Sequence, residues 1–328
     1  MVPEKLKAGD EVRVIAPSRS MAILKDDCIH LAIERLESLG LKVTFAKHVK
    51  DFDEDYMCTN AKDRADDLNE AFADKNVKAI LTVIGGFNSN QILKYLDFDM
   101  IQKNPKILCG FSDITILLDA IHAKTGLVTY YGPHFSSFGM KNGFDYTFEY
   151  FKKMLLEEGE ADVESSWQWS DDLWFLDQDN REYIENKGMY VINEGEANGK
   201  IVGGNLCTLN LLQGTEYMPD IKDSVLFLED DEMAGKLFLV EFDRNLVSLI
   251  QQPGFETVKG IVLGRCQKGS EMTREKWIKL IKSKPELEKI PVIADCDFGH
   301  TTPIITFPIG GEVSLKAMNG KIELNIKG

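Results

Sequence analysis

Apolar positions in the first 132 residues fall into two alternating kinds of run. EVRVIA (11–16), LKVTFA (41–46), VKAILTVI (77–84), KILCGF (106–111) and LVTYYG (127–132) are short and nearly continuous. That is the pattern of strands buried on both faces. Between them, CIHLAIERLESLG (28–40), AKDRADDLNEAFAD (61–74), NQILKYLDF (90–98) and DITILLDAIHAKTG (113–126) repeat their apolar residues at helical spacing. Strand–helix alternation predicts an α/β fold with a mostly parallel sheet flanked by helices. The same grammar resumes after residue 198. SVLFLED (224–230), KGIVLGR (259–265) and IPVIADC (290–296) read as strands, and KLFLVEFDRNLVSLIQQ (236–252) reads as a helix. The chain closes on GEVSLKAMNGKIELNIKG, whose alternation about Asn319-Gly320 predicts a β-hairpin.

The segment between these halves is different. Residues 157–188 are acidic, weakly periodic and hold three of the four tryptophans, which argues against plain disorder. The expected organisation is an N-terminal α/β domain over 1–160, a tryptophan-bearing loop over 161–190, and a C-terminal α/β domain over 191–328 that ends in the hairpin.

Composition narrows the functional classes. The formal net charge is −15, and a surface this acidic repels a phosphate backbone, so nucleic acid is not an expected partner. The six cysteines form no CxxC pair and no zinc spacing, and read as reduced and structural. No apolar run approaches the length of a membrane helix and the N-terminus carries no signal-peptide pattern, so the expected location is the cytoplasm.

Ligands of open α/β sheets bind beyond the carboxyl ends of the strands. Three reactive side chains fall at such ends: Ser112 after KILCGF, Glu229 closing SVLFLE, and His300 in ADCDFGH. A fourth strand runs into Gly85-Gly86. Each has a plain structural role open to it. Ser112 suits the N-cap of the following helix, Glu229 opens an acidic run, and His134 in YYGPHFSS is a rival histidine near a strand end. Together, a hydroxyl, an imidazole and a carboxylate make a hydrolytic triad, which is defined by geometry rather than by chain order. The backbone N–H groups of Gly85, Gly86 and Asp113 would then meet an oxyanion. GFSDI lacks the second glycine of G-x-S-x-G, so the turn departs from the common nucleophile elbow. The other expectation is a binding module that sequesters a small ligand in the same crevice without chemistry.

At these residues the chain resembles the LD-carboxypeptidase family of serine peptidases. VIAPS, GGFNSNQILKYLDFD, NPKILCGFSDITILLDAI, GLVTYYGP, GKIVGGNLCTLNLLQGTEY, LFLEDDE and FGHTTPIITFPIG carry the resemblance, in order, over nearly the whole chain. GGFNSNQ and the tryptophan-bearing segment are more similar to the microcin C self-immunity branch than to the branch that trims murein tetrapeptides. The resemblance implies Ser112 as nucleophile, Glu229 as acid, His300 as base, a homodimer, and no metal or cofactor. It further implies cleavage of an amide between an acidic aminoacyl group and a nucleotide-like moiety, with murein tetrapeptide as the alternative substrate. Trp169, Trp174 and Asn88 are the substrate-binding candidates, and Lys236 and Arg244 are the nearest cations in sequence for a substrate carboxylate.

Overall fold

The computed structural model describes residues 1–327. Two sheets carry the fold. The first has the strand order Phe307–Ile309, Thr129–Tyr131, Ile107–Gly110, Val77–Thr82, Glu11–Ile15, Lys42–Phe45. All neighbours are parallel except the first pair. Helices Asp26–Ser38, Ala61–Ala73 and Thr115–Thr125 make three of the crossovers, and the 3₁₀ segment Ser89–Tyr95 with the short helix Phe98–Lys103 makes the one between Val77–Thr82 and Ile107–Gly110. The central strands are buried along their whole length, which is why their sequences do not alternate.

The second sheet has eight strands. Gly195–Asn205, Ser224–Glu229, Gly260–Gly264 and Val292–Cys296 form its parallel centre. The hairpin Glu312–Met318/Lys321–Lys327 and the short strands Glu160–Asp162 and Tyr190–Asn193 flank it antiparallel. Asn319 and Gly320 both have positive φ (52° and 72°), as a two-residue hairpin turn of the primed type requires. Among the described residues no helix is long and apolar enough to cross a membrane.

Two features lock the halves together. Phe307, from the C-terminal half, sits in the first sheet and stacks on Tyr131 at 4.6 Å. It also meets Phe227 and Phe298 at 4.8 and 5.2 Å. Such pairs add about 0.5–1.5 kcal/mol each beyond area burial. The second feature is the glycine pair of IVGGN. A Cβ on Gly204 would lie 2.6 Å from Thr115 Oγ1, so its absence lets the helix after Ser112 close on the second sheet, where Asn205 N–H donates to Thr115 Oγ1 (3.0 Å). The carboxyl ends of both parallel sets therefore face one crevice.

Candidate active site

Ser112 stands at the junction of the strand Ile107–Gly110 and a short 3₁₀ turn, Ser112–Ile114, that runs into the helix Thr115–Thr125. Its φ is +61°, a left-handed conformation that costs a non-glycine residue about 1–2 kcal/mol. The capping expectation is corrected here. Phe111 occupies the N-cap position and no side chain caps the turn. The Ser112 hydroxyl is turned instead toward His300, with Oγ to Nε2 at 2.9 Å.

His300 Nδ1 lies 2.8 Å from Glu229 Oε2. Glu229 is buried, and its other oxygen accepts a hydrogen bond from Tyr131 Oη at 3.1 Å. Both carboxylate oxygens are thus satisfied, as a buried charge needs. With Nδ1–H donating to Glu229, Nε2 is left as the acceptor for the serine proton. Burial by itself lowers the His300 pKa. The charge of Glu229 and its hydrogen bond outweigh that, helped by Asp231 and Asp230, and the imidazole is pushed up to about 9. Burial, then the Glu229 charge, keeps the Tyr131 phenol well above its ordinary range, so it stays a donor.

His134 takes no part in this chain. It is buried against Phe111 (ring centroids 4.2 Å) and its Nδ1 pairs with Thr82 Oγ1 at 2.8 Å. Burial, then repulsion from His300, holds it well below the usual imidazole range.

The loops around Ser112 are tied by one carboxylate. Asp113 Oδ2 accepts from Ser18 Oγ (2.6 Å), Asn88 N–H (3.0 Å) and Ser89 N–H (2.9 Å). One group thus ties VIAPS, GGFNSN and FSD together around the nucleophile. The N–H groups of Gly85 and Gly86 donate to no backbone carbonyl among the described residues, and the Asp113 N–H belongs to the first turn, where donors have no intrahelical partner. A Cβ on Gly85 would lie 2.9 Å from Ser112 Cβ and 3.0 Å from its Oγ. Only glycine lets this turn approach the hydroxyl so closely.

The three substrate-binding candidates separate. Trp174 lines a cavity of about 240 Å³ with Ser112, His300, Phe111, Phe144 and Arg19. Trp169 does not line it. It pairs in a two-residue strand with Ile184 and stacks on the Arg265 guanidinium at 5.3 Å. Asn88 does not line it either. It is buried, with Oδ1 accepting from Arg64 (3.1 Å) and Nδ2 directed at Cys58 Sγ (3.0 Å), and it anchors its loop. A second cavity, about 260 Å³, opens on the other face of Ser112 and is lined by Gly86, Asp113, Asp230 and Phe242 among others. Tyr131 and Arg19 went unnoticed in the sequence. Arg19 directly follows VIAPS and donates through Nε to Gly85 O at 3.0 Å, a placement that only the fold creates.

Comparison with known proteins identifies the family. The model of the LD-carboxypeptidase N-terminal domain matches residues 12–132, and that of the C-terminal domain matches 198–315. "Putative carboxypeptidase YocD" of Bacillus subtilis is 50% identical over 98% of this chain and 97% of its own. The microcin C7 self-immunity protein MccF of Escherichia coli is 31% identical over 97% of this chain and 94% of its own. A solved structure of MccF in complex with aspartyl sulfamoyl adenosine superposes with a TM-score of 0.87 at 30% identity, covering 100% and 98% of the two chains. The crystal structure of an MccF-like protein from Bacillus anthracis superposes with a TM-score of 0.98 at 54% identity, covering 100% and 99%. Two family domains in order, and relatives matched from end to end, establish that the chain belongs to the LD-carboxypeptidase family.

Proposed function

We propose that the protein is a serine hydrolase that cleaves an amide bond between an aminoacyl group and a nucleotide-like leaving group. The observation that carries this reading is the hydrogen-bonded chain Glu229–His300–Ser112, with links of 2.8 and 2.9 Å, set between two cavities. In the acylation step, Ser112 Oγ attacks the carbonyl carbon while His300 Nε2 takes its proton. The negative oxygen that forms is met by N–H groups of Gly85, Gly86 and Asp113. The tetrahedral species collapses as His300 returns the proton to the leaving nitrogen, and water then releases the acyl group by the same steps in reverse. Glu229 fixes the imidazole tautomer and stabilises the imidazolium. Tyr131 holds Glu229.

The nucleotide-like leaving group is supported by two features of the 240 Å³ cavity. Trp174 offers an aromatic face, with Phe111 and Phe144 in the same wall, and Arg19 is the guanidinium available to an anionic linker. MccF has been solved in complex with aspartyl sulfamoyl adenosine. A murein tetrapeptide is the second reading, because Arg19 is equally suited to the free carboxylate of a departing amino acid. Side-by-side turnover of an aminoacyl-sulfamoyl nucleoside and a murein tetrapeptide decides between them, through their kcat/KM ratio. Binding without turnover of either would refute hydrolysis altogether.

Three variants probe the parts separately. Trp174→Ala is expected to raise KM for a nucleoside-bearing substrate about 5- to 100-fold, the worth of one base stack, with a smaller effect on a tetrapeptide. Trp169→Ala is expected to leave KM unchanged and to lower the melting temperature, since it removes the Arg265 contact. A larger KM effect from Trp169 would reverse the assignment. Gly85→Ala is expected to lower kcat about 10²- to 10³-fold, comparable to loss of an oxyanion donor, because the added methyl displaces Ser112. Unaltered kcat in that variant would remove Gly85 from the reacting centre.

A further inference from the structure

The Gly86 N–H, one of the donors assigned above to the oxyanion, belongs to the Gly85–Gly86 peptide. The inference drawn from that peptide rests on the hydrolase reading. Neither residue of the pair has a Cβ, so side chains of the turn do little to fix the peptide plane. Rotation of that plane about its flanking bonds would swing the N–H away from the reacting centre. A group outside the turn must hold it.

The peptide is trans, so the Gly85 carbonyl and the Gly86 N–H point in opposite directions. One residue holds the carbonyl twice. Arg19 Nε donates to Gly85 O at 3.0 Å, and the Arg19 backbone N–H donates to the same oxygen at 3.4 Å. The Gly86 N–H is thereby turned away from Arg19, and it donates to no backbone carbonyl among the described residues. Gly86 borders the 260 Å³ cavity together with Ser112 and Asp113, whereas Arg19 borders the Trp174 cavity. The turn also lies directly on the Ser18-Arg19 segment. A Cβ on Gly86 would stand 2.3 Å from Ser18 Oγ and 2.9 Å from Arg19 Cγ. Ser18 Oγ in turn donates to Asp113 Oδ2 at 2.6 Å. Two consecutive residues thus fasten both sources of oxyanion donors, Asp113 through its carboxylate and the glycine turn through its carbonyl.

We propose that Arg19 is a positioning residue for the reaction. Its Nε–H fixes the Gly85–Gly86 peptide with the Gly86 N–H turned toward the oxygen that becomes negative when Ser112 attacks. This role needs a donor at the Nε position and not the positive charge. That separates it from contact with an anionic linker, which needs the charge.

The test measures kcat and KM of three variants of the intact protein, on whichever of an aminoacyl-sulfamoyl adenosine and a murein tetrapeptide it turns over. Arg19→Met has neither donor nor charge. In Arg19→Gln the amide nitrogen stands at the chain position of the arginine Nε, so the donor is kept and the charge lost. Arg19→Lys keeps the charge with a carbon at that position. Arg19→Met is expected to lower kcat about 10- to 100-fold. That is less than the roughly 10²- to 10³-fold of losing an oxyanion donor outright, because the backbone N–H of residue 19 still holds the carbonyl. Arg19→Gln is expected to bring kcat back close to the unmodified value while KM stays raised. Arg19→Lys is expected to show the reverse, a lowered kcat with KM near the unmodified value. A merely structural role would lower the melting temperature and move both constants together, with no rescue by glutamine. Equal kcat in Arg19→Gln and in either variant lacking a nitrogen at that position overturns this inference and leaves the hydrolase reading standing. Turnover of neither substrate by the unmodified protein overturns both.

Discussion

Replacing Ser112 by alanine is expected to lower amide hydrolysis by about 10⁴-fold or more, with the fold and substrate affinity retained. The loss is large because Oγ is the atom that forms the covalent bond, and among the described residues no second hydroxyl lies in hydrogen-bond contact with the His300 ring. Stability should not fall, because the hydroxyl makes no capping bond. Its φ of +61° is as awkward for alanine as for serine. The pair of measurements is kcat on an aminoacyl-sulfamoyl nucleoside, and the melting temperature with and without that substrate. Retention of thermal stabilisation by substrate with turnover gone is the expected pattern. Turnover within a few-fold of the unmodified protein would exclude Ser112 as nucleophile.

Replacing Glu229 by glutamine is expected to cost about 10³- to 10⁴-fold in kcat, the scale of losing the tautomer-fixing carboxylate of a triad. It is also expected to move the pH profile. In the unmodified protein the imidazole accepts the serine proton only when neutral, and Glu229 pushes its pKa up to about 9. The log of kcat/KM should therefore rise with pH at unit slope below that value and level off above it. The plateau lies well above the ordinary histidine pKa of about 6.5. Without the Glu229 charge, burial is the dominant influence, and burial favours the neutral ring. The inflection in Glu229→Gln is thus expected below its position in the unmodified protein. A profile that keeps its inflection would separate Glu229 from His300. The sign also carries over to stability. A histidine whose folded pKa is raised contributes fully below about 6.5, and that contribution is lost as pH rises through about 9.

Much of this was legible in the chain because strands buried on both faces leave a plain mark. ILCG and VLFLE are continuous apolar runs because nothing in them meets solvent, and the next residues must then lie at the carboxyl edge where ligands bind. The strand Phe307–Ile309 left no such mark. It is three residues long, contains Pro308, and serves as an edge strand of the first sheet, the one place a proline is tolerated. Nothing local in TFPIG tells that the C-terminal half completes the N-terminal sheet. The Ser112 backbone was equally hidden. Serine before an apolar helix reads as a cap, and nothing in the local sequence marks its positive φ.

Two further placements leave no local mark. In AKDRADDLNEAF nothing sets Arg64 apart, yet it is buried and spends its guanidinium on Pro17 O, Asn88 and Gln91. In WQWSDDLWF the tryptophans at 169 and 174 are indistinguishable by composition. What separates them is Arg265, nearly a hundred positions downstream, which claims Trp169 and leaves Trp174 for the cavity. Pairings across such separations have no local periodicity to reveal them.

The central claim is that a hydroxyl from one sheet is activated by an imidazole and a carboxylate from the other. Treatment with a fluorophosphonate, followed by peptide mass mapping and assay of residual turnover, tests it most directly. The account predicts stoichiometric phosphonylation of Ser112 in step with loss of turnover, and no labelling in His300→Ala. Full turnover by protein labelled at Ser112, or loss of turnover tracking a label on another residue, would contradict it.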